Sequence, residues 1–131
     1  MSMTTRTLTI IHRERPYSDE LEENLQWLLS SLGVADAMLE RYTKILEHMA
    51  ERSMNATELS EILGDPRTST SYHISKLVDM GLLVKEGRSY RLRAATFLRS
   101  IEEMERDVIR MFEDLKKVAR TIDEKMGLPR R

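Results

Sequence analysis

Residues 55–93 read NATELSEILGDPRTSTSYHISKLVDMGLLVKEGRSYRLR and predict two helices with a tight turn between them and a β-hairpin after them. The first helix is expected to run to Leu63, and the residues at its N-terminus can form a complete capping box. Asn55 can cap it, and Glu58, at the third helical position, can bond back to the cap. Gly64-Asp65-Pro66 makes the turn. In this order, the elements predict a helix-turn-helix with a wing.

The second helix is expected to span residues 67–80, with Asp65 as its cap and Gly81 as its stop. Its side chains divide into two faces at helical spacing. The face expected to point to the core holds Thr70, Ile74, Leu77 and Val78. The face expected to point outward holds Ser69, Tyr72, His73 and Lys76, with Arg67 and Thr68 at the leading end.

This outward face has the chemistry that a DNA groove requires. A helix in the major groove reads bases with side chains near its N-terminus, while Lys and Arg hold phosphates. We therefore expect base-edge contacts from Ser69, Tyr72 and His73 and a base or phosphate contact from Lys76; an exposed histidine without a role is the alternative for His73. Arg67 and Thr68 are expected to bind phosphate at the helix entry.

The wing is predicted over residues 83–92, with its turn centred on Glu86-Gly87. Its basic side chains are expected to meet the DNA backbone or the minor groove; they are Lys85, Arg88 and Arg91. For Arg93, just beyond the hairpin, an intramolecular ion pair and a DNA contact remain equal alternatives.

Charge is unevenly distributed along the chain. The net charge is −1, yet residues 66–93 hold six basic and two acidic side chains, which leaves −5 for the remainder. A basic reading segment on an acidic body attracts phosphate locally without indiscriminate binding to polyanions. A chance fluctuation is the alternative, and it weakens because the basic segment coincides with the motif.

Composition excludes several classes of protein. The 131 residues suffice for one domain, and the absence of cysteine excludes disulfides and thiolate metal sites. There is no apolar run of membrane-spanning length and no signal peptide, so a cytoplasmic protein without membrane contact is expected. Two Asn and one Gln hint at a thermophilic source. His12 and His48 lack metal-ligand spacing and no catalytic motif occurs, so neither cofactor nor enzymatic activity is expected.

The N-terminal part predicts an arm and two helices. Residues 1–17 are expected to form an arm or short strand that packs, stays mobile or touches DNA through Arg6, Arg13 and Arg15. The next helix begins near Asp19, with Asp19 and Glu22 as a capping box, and ends at Gly33. Another helix is capped by Asp36 and runs to Arg52. Trp27 is expected to anchor the core or a dimer interface.

After Ala94 the pattern becomes heptad-like. One series recurs every seven residues and the other follows it by three; together they comprise Phe97, Ile101, Met104, Val108, Met111, Leu115, Val118 and Ile122. A helix of about 30 residues would be about 45 Å long, too long for one small core to cover. We therefore expect residues 94–131 to be a coiled-coil dimerisation helix after a DNA-binding domain at residues 18–93.

Two parts of residues 55–93 resemble ArsR-type winged-helix repressors. The run Thr68–Leu77, of small hydroxyl residues followed by His and Leu, resembles their recognition helix, and Gly87–Leu92 resembles the end of their wing. Leu28–Val34, with a helix after it and a coiled coil after the wing, is also similar to small archaeal TrmB-like regulators. Metal-sensing ArsR proteins carry cysteines before the turn or His and acidic ligands in the last helix. Residues 57–63 have no Cys and residues 94–131 no His, so metal sensing is not expected.

These observations predict a mainly α (α+β) winged helix-turn-helix protein with two functional hypotheses. The first is a homodimeric, sequence-specific regulator of transcription, a repressor, that binds double-stranded DNA. The alternative is a protein-interaction or architectural chromatin module without operator specificity. The basic segment and the polar leading face favour the first. Whether a small-molecule effector exists is not evident from the sequence.

Overall fold

The computed structural model describes residues 8–15 and 18–129. Its elements are α1 (Leu21–Ser31), α2 (Leu39–Glu51), α3 (Ala56–Leu63), α4 (Arg67–Met80), β1 (Leu83–Glu86), β2 (Ser89–Leu92) and α5 (Phe97–Met126), with a 3₁₀ turn at Asp36–Met38. Five helices and one antiparallel hairpin, in this order, confirm the predicted winged helix-turn-helix. No helix within the described ranges is long and apolar enough to cross a membrane.

The hydrophobic core lies where α1 to α4 meet the hairpin. Its fully buried aliphatic side chains are Leu29, Ile45, Leu46, Leu59, Ile74, Leu77, Leu82 and Leu83. Met104 of α5 also belongs to this core, with only 5% of its surface exposed. Burial of aliphatic side chains of this size is the main stabilising contribution to such a fold, roughly 1.5–3 kcal/mol for each. The first turns of α5 are thus part of the folded body.

The start of α3 has the predicted capping box. The Glu58 amide donates to Asn55 Oδ1 at 2.8 Å, and the Asn55 amide donates to Glu58 Oε1 at 3.2 Å. A hydrogen bond from Arg52, and then the one from the Asn55 backbone, lowers the pKa of Glu58. On the same helix Leu59 is fully buried in the core, whereas Ile62 is 47% exposed.

Three other predicted caps are wrong. Helix α1 begins after Glu20 with no side-chain cap, so Asp19 and Glu22 form no capping box. Asp36 is instead the first residue of the 3₁₀ turn, and α2 begins only at Leu39. At α4 the cap position is Pro66, while the Asp65 carboxylate lies 3.1 Å from the guanidinium of Arg41. An ion pair to another helix outcompetes the local cap here.

The N-terminal segment packs on α1 without forming a strand in residues 8–15. The Ile11 amide donates to the Ser31 carbonyl at 2.7 Å. The indole N–H of Trp27 donates to the Glu14 carbonyl at 2.9 Å, so Trp27 is a half-buried anchor for this segment rather than a core residue. Of the predicted arm, residues 1–7, 16 and 17 lie outside the described residues, and Arg6 is among them.

The hairpin turn is one residue later than predicted. Glu86 pairs with Ser89, which leaves Gly87 and Arg88 as the two loop residues. Gly87 has φ +65°, a left-handed conformation that suits glycine in a two-residue hairpin turn. In addition to the pairing within the hairpin, the backbone of Tyr90 in β2 exchanges two hydrogen bonds, of 2.8 and 3.0 Å, with the backbone of Met54. The wing is therefore joined to the chain just before α3.

Helix α5 has the predicted length of 30 residues, with the Thr96 hydroxyl as its cap and Gly127 at its end. The apolar heptad positions predicted on this helix fall into two groups. Phe97, Ile101 and Met104 pack on the core of the same chain. Farther along, the apolar side chains are exposed: Ile109, Met111, Phe112, Leu115, Val118, Ile122 and Met126. Met104 is thus covered without a second subunit, and only the later part of the helix remains open.

Candidate nucleic-acid interface

The leading end of α4 is exposed and uncapped. Arg67 and Thr68 lie at the surface, and no side chain caps the first-turn amides, which therefore remain available to an anion. The Ser69 hydroxyl donates to the Pro66 carbonyl at 3.0 Å, and its oxygen keeps acceptor capacity. This end of the helix has the positive charge and the free donors that phosphate contact requires.

Tyr72 and Lys76 form the outer face one turn further along α4. Tyr72 is 57% exposed, and the Lys76 ammonium lies 5.1 Å from the centroid of its ring. This distance is within the range of a cation–π contact, which stabilises such pairs by about 0.5–1 kcal/mol at exposed sites. Tyr72 and Lys76 thus both lie on the exposed face of α4, as predicted.

His73 does not face outward, and this part of the prediction is wrong. Its side chain is buried, with 8% exposed, and its Nδ1 lies 3.1 Å from the hydroxyl of Tyr42 on α2. The Tyr42 and His73 rings also meet edge to face at 5.1 Å. Burial, and then the positive charge of Arg41, lowers the pKa of His73, while burial raises the pKa of Tyr42.

The helical spacing itself allowed this burial. Positions 70, 73, 74 and 77 form one stripe at intervals of three and four, so His73 continues the core-facing side of α4. Its polarity suggested an outward position, but Tyr42, distant in sequence, supplies the polar partner that permits burial.

The basic residues of the wing differ in what they can offer to DNA. Lys85 and Arg88 are exposed, and neither has an ion pair within the described part of the chain. Arg91 pairs with Glu86 across the hairpin, and its Nη1 donates to the carbonyls of Leu92 and Arg93 at 2.8 and 3.2 Å. Of the three wing residues predicted to contact DNA, Arg91 therefore already has partners within the chain.

Arg93 forms the intramolecular ion pairs that were one of its two alternatives. Its Nη2 lies 2.7 Å from Asp107 and its Nε lies 3.5 Å from Glu103, both on α5. The Arg93 side chain is only 15% exposed. These contacts join the base of the wing to the long helix.

Arg41 is a basic residue near this surface that sequence reasoning missed. It lies on α2, yet its ion pair with Asp65 brings its guanidinium beside the turn that precedes α4; the Arg41 side chain is 40% exposed. The periodicity of α2 does not indicate that Arg41 lies near this turn, because the distance between them depends on how α2 packs against the turn. Arg41 thus lies at the turn before α4, with its charge already paired with Asp65.

No cluster of three or more His, Cys, Asp or Glu side chains that could hold a metal ion occurs within residues 8–15 and 18–129.

A comparison with protein families identifies the central part of this structure. Residues 43–85 match the family model described as "Bacterial regulatory protein, arsR family". The match runs from α2 through the helix-turn-helix into β1, the elements that carry the exposed polar surface. Neither the curated proteins nor the solved structures give a match. The resemblance seen in the sequence is confirmed: residues 43–85 are an ArsR-type helix-turn-helix, the DNA-binding domain of that family of transcription regulators.

Proposed function

We propose that this chain is a homodimeric, sequence-specific repressor of transcription that reads the major groove with α4 and the backbone or minor groove with its wing. The observation that carries the proposal is the exposed polar and basic face of α4 within an ArsR-type domain. The repressor role is taken from the resemblance to ArsR-type repressors.

On α4, phosphate and base contacts are assigned by position. Arg67 and Thr68, with the free amides of the first turn, bind phosphate at the groove edge. Tyr72 and Lys76 lie further along the same face and reach base edges or phosphates. Ser69 takes part through its remaining acceptor capacity, and His73 is no longer assigned a base contact because it is buried.

On the wing, Lys85 and Arg88 supply the contacts to the DNA backbone or minor groove. Arg88 occupies the tip of the turn, where a side chain extends farthest from the body. Arg91 supports the hairpin through Glu86 and contributes to DNA binding only indirectly.

Dimerisation through the later part of α5 supports a two-fold arrangement on DNA. Exposed apolar side chains recur there at helical spacing over nearly five turns, which favours burial against a second copy. Two copies would present two α4 helices to half-sites about one turn of DNA apart, roughly 34–36 Å.

Selection from a pool of random double-stranded DNA tests this function and does not require the operator sequence in advance. Enrichment of a two-fold symmetric motif, bound in the presence of excess unrelated DNA, is the expected result. Binding without any enriched motif, abolished by competitor and by salt, would indicate an architectural protein. No binding even at low salt would contradict DNA recognition and favour the protein-interaction alternative.

A further inference from the structure

A cleft of about 510 Å³ opens beside the outer face of α4. It is bounded by α4, the start of α2, the loop between α1 and α2, and Thr9 of the N-terminal segment. Its apolar walls are formed by Leu32, Val34, Met38 and Met80. The volume lies within the range of small-molecule sites, about 300–1,000 Å³.

The buried polar groups of the cleft have unused hydrogen-bonding capacity. Tyr42 and His73 line it and, within the described residues, their side chains hydrogen-bond to each other. A phenol can both donate and accept, and an imidazole has a second ring nitrogen. Each can therefore bond a polar group of a ligand as well as its present partner.

The rim of the cleft carries one positive and one negative charge. Lys76 and Asp79 lie three residues apart on α4, line the same cleft and form no ion pair within the described residues. A ligand with one carboxylate and one ammonium group complements both, and hydrogen bonds between charged partners are the stronger kind. A ligand with only a negative charge would be repelled by Asp79, and a ligand with only a positive charge would be repelled by Lys76.

We propose that this cleft binds a small zwitterion with an apolar side chain, the chemistry of an apolar α-amino acid, as an effector that competes with DNA. The carboxylate lies toward Lys76, the ammonium group toward Asp79, and the side chain between the apolar walls. The effector role rests on the proposed function, because Tyr72 and Lys76 belong both to the cleft and to the DNA-reading face. Ligand and DNA therefore weaken each other's binding by the same factor.

Isothermal titration calorimetry of the full chain without DNA tests the cleft by itself. The probes are L-phenylalanine, L-leucine and L-methionine, with phenethylamine and 3-phenylpropionate as analogues of phenylalanine that each lack one charge. We expect saturable binding of at least one amino acid. Each analogue should bind at least about tenfold more weakly than phenylalanine, because each loses a charged hydrogen bond. Failure of all three amino acids, or equal binding of phenylalanine and 3-phenylpropionate, would overturn the proposal.

Two variants locate the binding in this cleft. Asp79→Asn removes the rim carboxylate and should weaken amino acid binding about tenfold, whereas Asp123→Asn on α5 is the matched control and should leave it unchanged. Met38→Trp should fill the cleft and abolish binding, with circular dichroism to check folding. Binding that persists unchanged in Asp79→Asn and in folded Met38→Trp would overturn the site.

A final titration separates the cleft from the DNA function. Saturating amino acid should raise the apparent Kd for the selected DNA, and Asp79→Asn should reduce this effect. Ligand binding by a chain that binds no DNA would overturn the DNA function but not the cleft. DNA affinity unchanged at saturating ligand would overturn the effector role.

Discussion

His73 on α4 and Tyr42 on α2 are joined by a hydrogen bond of 3.1 Å between the imidazole Nδ1 and the phenol hydroxyl. Both side chains are almost completely buried, and the pair connects the helix proposed to read DNA with the helix behind it. Since burial lowers the pKa of His73 and raises that of Tyr42, both groups are neutral near neutral pH. The orientation of α4 thus depends on a buried polar contact as well as on apolar packing.

The burial of His73 predicts that stability falls in mild acid. The pKa of His73 is lower in the folded chain than in the unfolded chain, where it is about 6.5. As the pH falls below about 6.5, the unfolded state binds the proton first and stability decreases until the folded pKa is passed. Urea unfolding at about pH 8 and about pH 5.5 should show this loss.

His73→Asn is the matched variant, because an asparagine side chain can replace Nδ1 without titrating. The variant should lose less stability than the parent between the two pH values. His12 and His48 are present in both proteins, so their contribution cancels in the comparison. An equal loss in both proteins would contradict the assignment to His73.

Tyr72 is predicted to affect discrimination between DNA sequences. Tyr72→Ala should weaken binding to the selected motif by about 1–3 kcal/mol and change binding to unrelated DNA much less. Competition titrations with the two DNAs measure the ratio. Ser75→Ala, on an exposed α4 residue outside the proposed contacts, is the control and should leave the ratio unchanged. An equal loss on both DNAs would instead assign Tyr72 to the backbone.

Arg88 is predicted to contact phosphate. Arg88→Ala should weaken binding to all sequences similarly and reduce the slope of log K against log salt by about 0.9 for each subunit bound. Lys117→Ala removes the same charge from an exposed position in the later part of α5 and should leave the slope unchanged. If the slope of Arg88→Ala equalled that of the parent, the wing contact would be wrong.

Arg93 is predicted to stabilise the attachment of α5 to the body. Arg93→Met leaves Glu103 and Asp107 without their partly buried partner and should lower the free energy of unfolding by about 1–3 kcal/mol. Arg110→Met is the control, because Arg110 pairs with the same Asp107 from an exposed position, where such pairs contribute about 0–1 kcal/mol. Chemical denaturation of both variants provides the measurement. Equal losses would show that burial of Arg93 has no energetic consequence.

The later part of α5 is predicted to hold two copies together. Leu115→Glu with Val118→Glu places two charges on side chains that are 58% and 59% exposed in the single chain. The fold should survive, while burying these charges in a dimer would cost several kcal/mol. Sedimentation velocity should detect monomers. These monomers should bind DNA with lower affinity than the parent. Lys117→Glu, on the polar side of the helix, should remain dimeric, and a dimeric double variant would refute the interface.

Local chemistry explains which elements were predictable from sequence. The capping box of Asn55 and Glu58, the span of α4 and the 30-residue length of α5 depend on residues close together in the chain, and all three were predicted. The caps predicted at Asp19, Asp36 and Asp65 are wrong. Asp65 shows why, since Arg41 on another helix pairs with its carboxylate.

The winged helix-turn-helix could be predicted from the sequence, because helix start signals, turn residues and helical periodicity act over a few residues. Which polar side chains are available for contacts depends instead on how the helices and the hairpin pack. His73 is buried against Tyr42. The arginines that form ion pairs within the chain are Arg41, Arg91 and Arg93. The physical reason is that a polar group is buried or exposed according to whether a partner from a distant segment satisfies it, and such partners become neighbours only when the helices pack.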